Sequence, residues 1–150
     1  MSALIRFSVF LLVFGLAPVR GVTAVATNPA ENAKLAAAAT HYEIAQLKLE
    51  SGEYDAVVAE IQEILDLGFG AENEGVLTLS VLNLSEELLN ADQHGLARQA
   101  VDASLKAVDA QENRFMLLMF KARVFRDEGK TDEALETYRS AQKLVRSGDF

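Results

Sequence analysis

Cysteine and tryptophan are absent from this 150-residue chain, and proline occurs only at positions 18 and 29. Without cysteine there is no disulfide, no thiolate metal site and no cysteine nucleophile. The acylated cysteine of a bacterial lipoprotein is excluded for the same reason. Positive charge is in short supply, with 14 Lys and Arg against 22 Asp and Glu and a net charge of −8. A nucleic-acid binder or a ligand of anionic membranes needs a basic stripe, so neither partner is expected. Histidine occurs twice, at His41 and His94, and neither belongs to an HExxH pair or another zinc pattern. There is no DxDxDG calcium loop and no glycine-rich phosphate loop. Carboxylates are plentiful, but the runs Glu50–Asp55 and Glu60–Asp66 read as solvated helix faces. Nothing in the sequence gathers them around one pocket. The sequence therefore predicts no enzyme, no cofactor, no metal and no catalytic residue.

What is present is apolar and helix-forming. Half of the residues are hydrophobic, enough for a sizeable core. Scarce proline and abundant Ala, Leu, Glu and Lys favour helices throughout. Near the N-terminus, Arg6 precedes an apolar run, Phe7–Val19, of thirteen residues. Thr23–Ala26 then places small residues at −3 and −1 of a cut after Ala26, and a cut after Ala24 is the other option. The pattern resembles a secretory signal peptide over residues 1–26, and it implies a periplasmic or secreted protein. The alternative is an uncleaved membrane anchor, but a span needs ~20 apolar residues and Arg20 ends this run too early. Cleavage removes Arg6 and Arg20 and no acid, so the net charge moves from −8 to −10 and no membrane span remains. The final residues, Ser147–Phe150, do not match an endoplasmic-reticulum retention signal.

The rest, residues 27–150, reads as one all-α domain of six helices in three hairpins. Asn28, Pro29 and Glu31 provide a cap, a first helical residue and a capping-box partner for a helix to about Glu50. Ser51-Gly52-Glu53 makes a turn, and a second helix covers Tyr54–Leu67. Gly68, Gly70 and Gly75 punctuate a loop. Helices over Val76–Leu89 and Leu96–Ala110 follow, joined by the turn Asn90–Gly95. A fifth helix includes Phe115–Arg126. Gly129 then sits where a helix must stop, because the residue after a C-cap takes a left-handed backbone that a Cβ would hinder. Thr131 is placed to cap a sixth helix, with Asp132 and Glu133 at the positive end of its dipole.

That last hairpin is the most informative. Ala134, Tyr138, Ala141 and Val145 recur on one helical face, and Leu118, Ala122 and Phe125 recur on the helix before it. Short side chains at such intervals let antiparallel helices approach closely. The register repeats: Ala97, Val101 and Ser104 match Ala134, Tyr138 and Ala141, while Val57, Ile61 and Ile64 supply a weaker third copy. Likewise Val81, Leu84, Ser85 and Leu88 match Leu118, Lys121, Ala122 and Phe125, with His41, Ile44, Ala45 and Lys48 at the first unit's counterpart. The chain resembles the tetratricopeptide repeat family in three degenerate units, about 31–67, 76–110 and 113–146. The offsets from Val57 to Ala97 and from Ala97 to Ala134 are 40 and 37 residues, longer than the ~34 of that repeat. The proline that ends the family's second helix is missing. A plain array of hairpins or a compact α-bundle is the competing architecture.

The resemblance implies a short right-handed superhelix whose first helices line a concave face that takes a protein segment. Concave positions would be Tyr42, Gln46, Asn83, Glu86, Asn90, Met119, Arg123 and Arg126. In an acidic chain, Arg123 and Arg126 would meet a carboxylate of the partner or else pair with Asp127, Glu128 or Glu133. A lysine–asparagine–arginine clamp for chaperone tails is not expected. Of the matching positions Tyr42, Gln46, Asn83, Met116 and Phe120, only Asn83 fits. The apolar run Phe115–Phe120 points all round its helix, and burial among neighbours competes with an adaptable methionine-bearing surface. The sixth helix lacks the polar capping helix usual in repeat arrays, so Leu135 and Leu144 stay partly exposed. A homodimer through that helix is then an alternative, and Arg139, Lys143 and Arg146 would otherwise solvate the face. The expected function is an exported scaffold or adaptor that binds a partner segment in its concave face within a cell-envelope assembly; the alternatives are a self-associating structural subunit and a helical small-ligand binder.

Overall fold

The computed structural model describes residues 28–146. The expected signal segment and the final four residues lie outside the described region. All regular structure there is helical: α1 Pro29–Glu50, α2 Tyr54–Asp66, α3 Glu74–Asn90, α4 His94–Ala107, α5 Gln111–Asp127 and α6 Thr131–Arg146. Asn28 caps α1 through its side chain, which accepts from the Ala30 amide at 3.0 Å, and Pro29 opens the helix. Glu31 does not complete a capping box. It accepts instead from Lys34 at 2.9 Å and from Asn73 at 3.3 Å, fastening the start of α1 to the loop before α3.

The turn inside each hairpin is built the same way. Gly52, Asp92 and Gly129 have φ of 76°, 59° and 75°. In each turn the next amide reaches back five residues, Glu53 to Lys48, Gln93 to Leu88 and Lys130 to Phe125, each at 2.9 Å. The left-handed residue's own amide bonds three residues back, to Leu49, Leu89 and Arg126. This is the Schellman closure of a helix. The positions recur at offsets of 40 and 37, the same offsets that relate Val57, Ala97 and Ala134. In the second hairpin, where the sequence places a turn over Asn90–Gly95, the left-handed residue is Asp92. A short polar side chain tolerates that backbone, and Gly95 lies inside α4. Gly129→Ala places a Cβ on a left-handed backbone and should destabilise the fold by about 1–2 kcal/mol, read from chemical denaturation. An unchanged midpoint would contradict the assigned turn.

Three other boundaries differ from expectation. Gly75 is not in the loop: α3 begins at Glu74. A glycine in the first helical turn forfeits little, because the amides there have no intrahelical acceptor. α4 stops at Ala107 rather than Ala110. Val108 is extended, and the Arg114 guanidinium donates to the carbonyls of Leu105 at 2.8 Å and Val108 at 3.0 Å, satisfying the helix end with a cation. Thr131 is the first residue of α6, not the cap before it.

The hairpins lie in succession. α3 packs against α1, α2, α4 and α5, while the first and third hairpins do not touch each other within the described residues. There is thus no common centre shared by all six helices. A continuous apolar core runs from Ala45 through Ile61, Ile64, Val81, Leu84, Leu88 and Val101 to Leu117 and Val124. The small residues Ala45, Ser85 and Ala122, one per first helix, are fully buried, as are Val57 and Ala97 on the second helices. Short side chains such as Ala45, Ser85, Ala97 and Ala122 let neighbouring helices approach closely. α6 packs on α5 alone among the described helices.

Candidate partner-binding face

The first helices α1, α3 and α5 are neighbours in that order. Gln46, Glu86 and Arg123 occupy equivalent places on them, at the repeat offsets of 40 and 37 residues. Each lies next to the fully buried Ala45, Ser85 or Ala122, so packing of the small residue fixes where its neighbour emerges.

Side chains bridge this row. On α1, Gln46 donates to the Tyr42 hydroxyl at 3.3 Å. Asn83 of α3 also hydrogen-bonds Tyr42. Burial pushes the Tyr42 hydroxyl above its ordinary value, and the carboxylates of Glu43 and Glu87 act in the same direction, so the phenol is neutral. From α3, Glu86 forms an ion pair with Arg123 of α5. The Arg123 guanidinium also lies over the Phe120 ring, 4.8 Å from its centroid. Five of the eight expected residues therefore form two links across three helices.

The remaining three are placed differently. Arg126 is exposed and its guanidinium bonds Asp127 at 3.2 Å, the local pairing expected of a solvated face. Arg123 does not pair locally: its partner is on another helix, a contact that sequence spacing does not reveal. Asn90 is exposed at the end of α3. Met119 is 39% exposed, one turn before Arg123, and Leu79 is 54% exposed, one turn before Asn83. Leu79 was not among the expected residues; its place in the same helical row as Asn83 is the signal for it. Within the run Phe115–Phe120, Leu117 and Phe120 are buried and Phe115, Met116 and Leu118 are half-buried. Two of the six are core, three are half-buried, and Met119 is the run's one exposed member. The face thus carries amides and a phenol, a charge pair neutral as a whole, and two apolar side chains beside them.

No protein-family model matches this chain. No curated protein matches it either.

Other groupings are structural. His41 Nδ1 lies 2.7 Å from Glu60 Oε2 and ties α1 to α2. His94 opens α4 and its Nδ1 is 3.1 Å from the Asp92 carbonyl. Arg98 bridges to Glu128 and lies over Phe125 at 5.2 Å, clasping α4 to the end of α5. An apolar recess between α1, α2 and α3 is lined by Leu35, Ala38, Ala39, Ile64, Phe69, Val76, Leu77 and Ser80. No group of three His, Asp or Glu positioned for a metal ion occurs among the described residues. No described helix is long and apolar enough to cross a membrane.

Glu74, expected in the Gly68–Gly75 loop, is the first residue of α3. It is buried, at 6% exposure. The Ala110 amide donates to its carboxylate at 2.8 Å and Asn113 Nδ2 at 2.9 Å. Ala110 precedes the first residue of α5, so Glu74 does from α3 what a capping-box glutamate does within one helix. Burial pushes its carboxyl up, but the bonds from Asn113, Ala110 and Asp109 outweigh that and hold it below the ordinary value of 4.5.

Proposed function

We propose that this chain is an exported, tetratricopeptide-like interaction module that holds a partner segment on the face of α1, α3 and α5. The supporting observation is the row that links Tyr42, Gln46 and Asn83 and then Glu86 and Arg123 across successive first helices. Such a row pre-organises polar groups beside the apolar Leu79 and Met119, which suits an extended or helical segment bearing apolar anchors. Because Arg123 is already paired with Glu86, the segment is recognised through its apolar anchors and hydrogen bonds rather than by a single carboxylate. The signal-like start supports export, and the mass of the protein recovered from the host would give the cut after Ala24 or Ala26.

The test is site-specific photo-crosslinking in cells. A photoreactive residue at Leu79 or at Met119 should capture a discrete partner band, and one at Gln99, exposed on the second-helix side, should not. Replacing Asn83 and Tyr42 by Ala and Phe should weaken that band by about tenfold, the loss expected when buried polar contacts go unmade. Crosslinking at Gln99 alone would remove this face as the binding surface.

A further inference from the structure

The two ends of the helical stack differ in charge. Residues 28–93 hold thirteen acids and only two bases, Lys34 and Lys48, whereas residues 94–146 hold ten bases and eight acids. Both lysines are engaged, Lys34 with Glu31 and Lys48 with Glu53. The outer helices at the two ends, α1 and α6, each leave one face without a neighbour among the described residues.

From Ala36 onward the exposed residues of α1 fall in one stripe: Ala36, Thr40, Glu43, Leu47 and Glu50. Leu47 is 64% exposed, the most exposed large apolar side chain among the described residues. On α6 the exposed face opposite its buried Ala134, Thr137 and Ala141 carries Asp132 in the first turn, then Leu135, Arg139, Gln142, Lys143 and Arg146. Leu135 is 47% exposed. Glu43, Glu50, Arg139 and Arg146 form no ion pair with any described residue. The acids are seven residues apart on α1, and the arginines are seven apart on α6. Seven residues advance a helix by about 10 Å, so two parallel stripes bring both charge pairs into register at once. That register sets Leu135 over the small side chains of Ala36 and Thr40, and Leu47 against the methylene stem of Lys143. The antiparallel alternative also pairs Glu43 with Arg146 and Glu50 with Arg139, but it sets Leu135 past the end of α1, opposite residue 54, and leaves it uncovered by that helix.

We infer that the occupant of the α1 face is a second copy of this chain, docking its α6 in parallel. The contact joins unlike surfaces, so each bound copy still presents one free end and association is head-to-tail. Flanking charge pairs around an apolar centre set the partner, as they do in paired helices, and cover for Leu135 sets the direction. The inference uses none of the residues of the α1–α3–α5 face and stands or falls apart from it.

The test is charge exchange on the full chain, followed by sedimentation velocity and light scattering at low salt. Wild type should self-associate with rising concentration, and added salt should weaken this. Glu43→Arg with Glu50→Arg makes both ends basic, and Arg139→Glu with Arg146→Glu makes both acidic. Each double variant should associate at least ~tenfold more weakly while keeping wild-type helicity by circular dichroism. Mixing the two variants should restore association, because each then supplies the end the other lacks. A wild type that is monomeric at high concentration overturns the inference. So does association that survives either exchange, as does a mixture that stays monomeric.

Discussion

Leu84→Ala is expected to destabilise the protein by about 2–5 kcal/mol, the range for truncating a buried leucine that its surroundings cannot refill. Leu84 has no solvent exposure. It lies on α3, the helix that packs against α1, α2, α4 and α5 together. A void there is walled by several helices, so relief by movement of one opens a gap against another. The reading is the urea midpoint with the slope unchanged. In thermal melting the loss corresponds to a shift on the order of 10 °C for a domain of this size. A cost below about 1 kcal/mol would mean that α3 is not the central helix of the stack.

Glu74→Ala should cost about 2–3 kcal/mol, because it leaves buried donors of Asn113 and Ala110 without their charged acceptor. The sign of its pH dependence follows from its lowered carboxyl. Folded Glu74 ionises more readily than unfolded Glu74, so its contribution is complete above pH 4.5 and is lost as pH falls below that through the folded value. Glu128 adds to the same acid limb. Burial raises its carboxyl, but bonds from Arg98 and Lys130 bring it below the ordinary value. Wild type and Glu74→Gln should therefore differ most near neutrality and converge as pH falls below 4.5, measured by denaturation from neutral into acid pH. A gap that widens in acid would reverse the assigned role.

These two residues mark how far the chain could be read in advance. Leu84 was legible only in part: its neighbours Val81, Ser85 and Leu88 stand at the packed positions of the repeat register, whereas Leu84 matches Lys121, and its full burial depends on the helices around α3. Gly52 and Gly129 were legible, since a glycine after a helical run has one common use. Glu74 was not. Its neighbours Gly70 and Gly75 suggest a loop, and its partners Ala110 and Asn113 lie over thirty residues away. The turn Asn90–Gly95 was legible, but not that Asp92 would be its left-handed residue, because aspartate takes that backbone less often than glycine. The candidate face was legible as a set of helical positions, but not as a set of bonds. That Glu86 would hold Arg123, and Asn83 would reach Tyr42, depends on how α3 sits between α1 and α5, which spacing along one helix does not encode.

The single neighbour of α6 carries a consequence for motion. Detaching α6 from α5 breaks one interface, whereas displacing α3 breaks four. Hydrogen exchange should accordingly proceed in steps, with α6 amides opening by local unfolding well below the global free energy and α3 amides protected until the whole chain unfolds. A second copy seated on α6 would slow the first of those steps and leave the last unchanged.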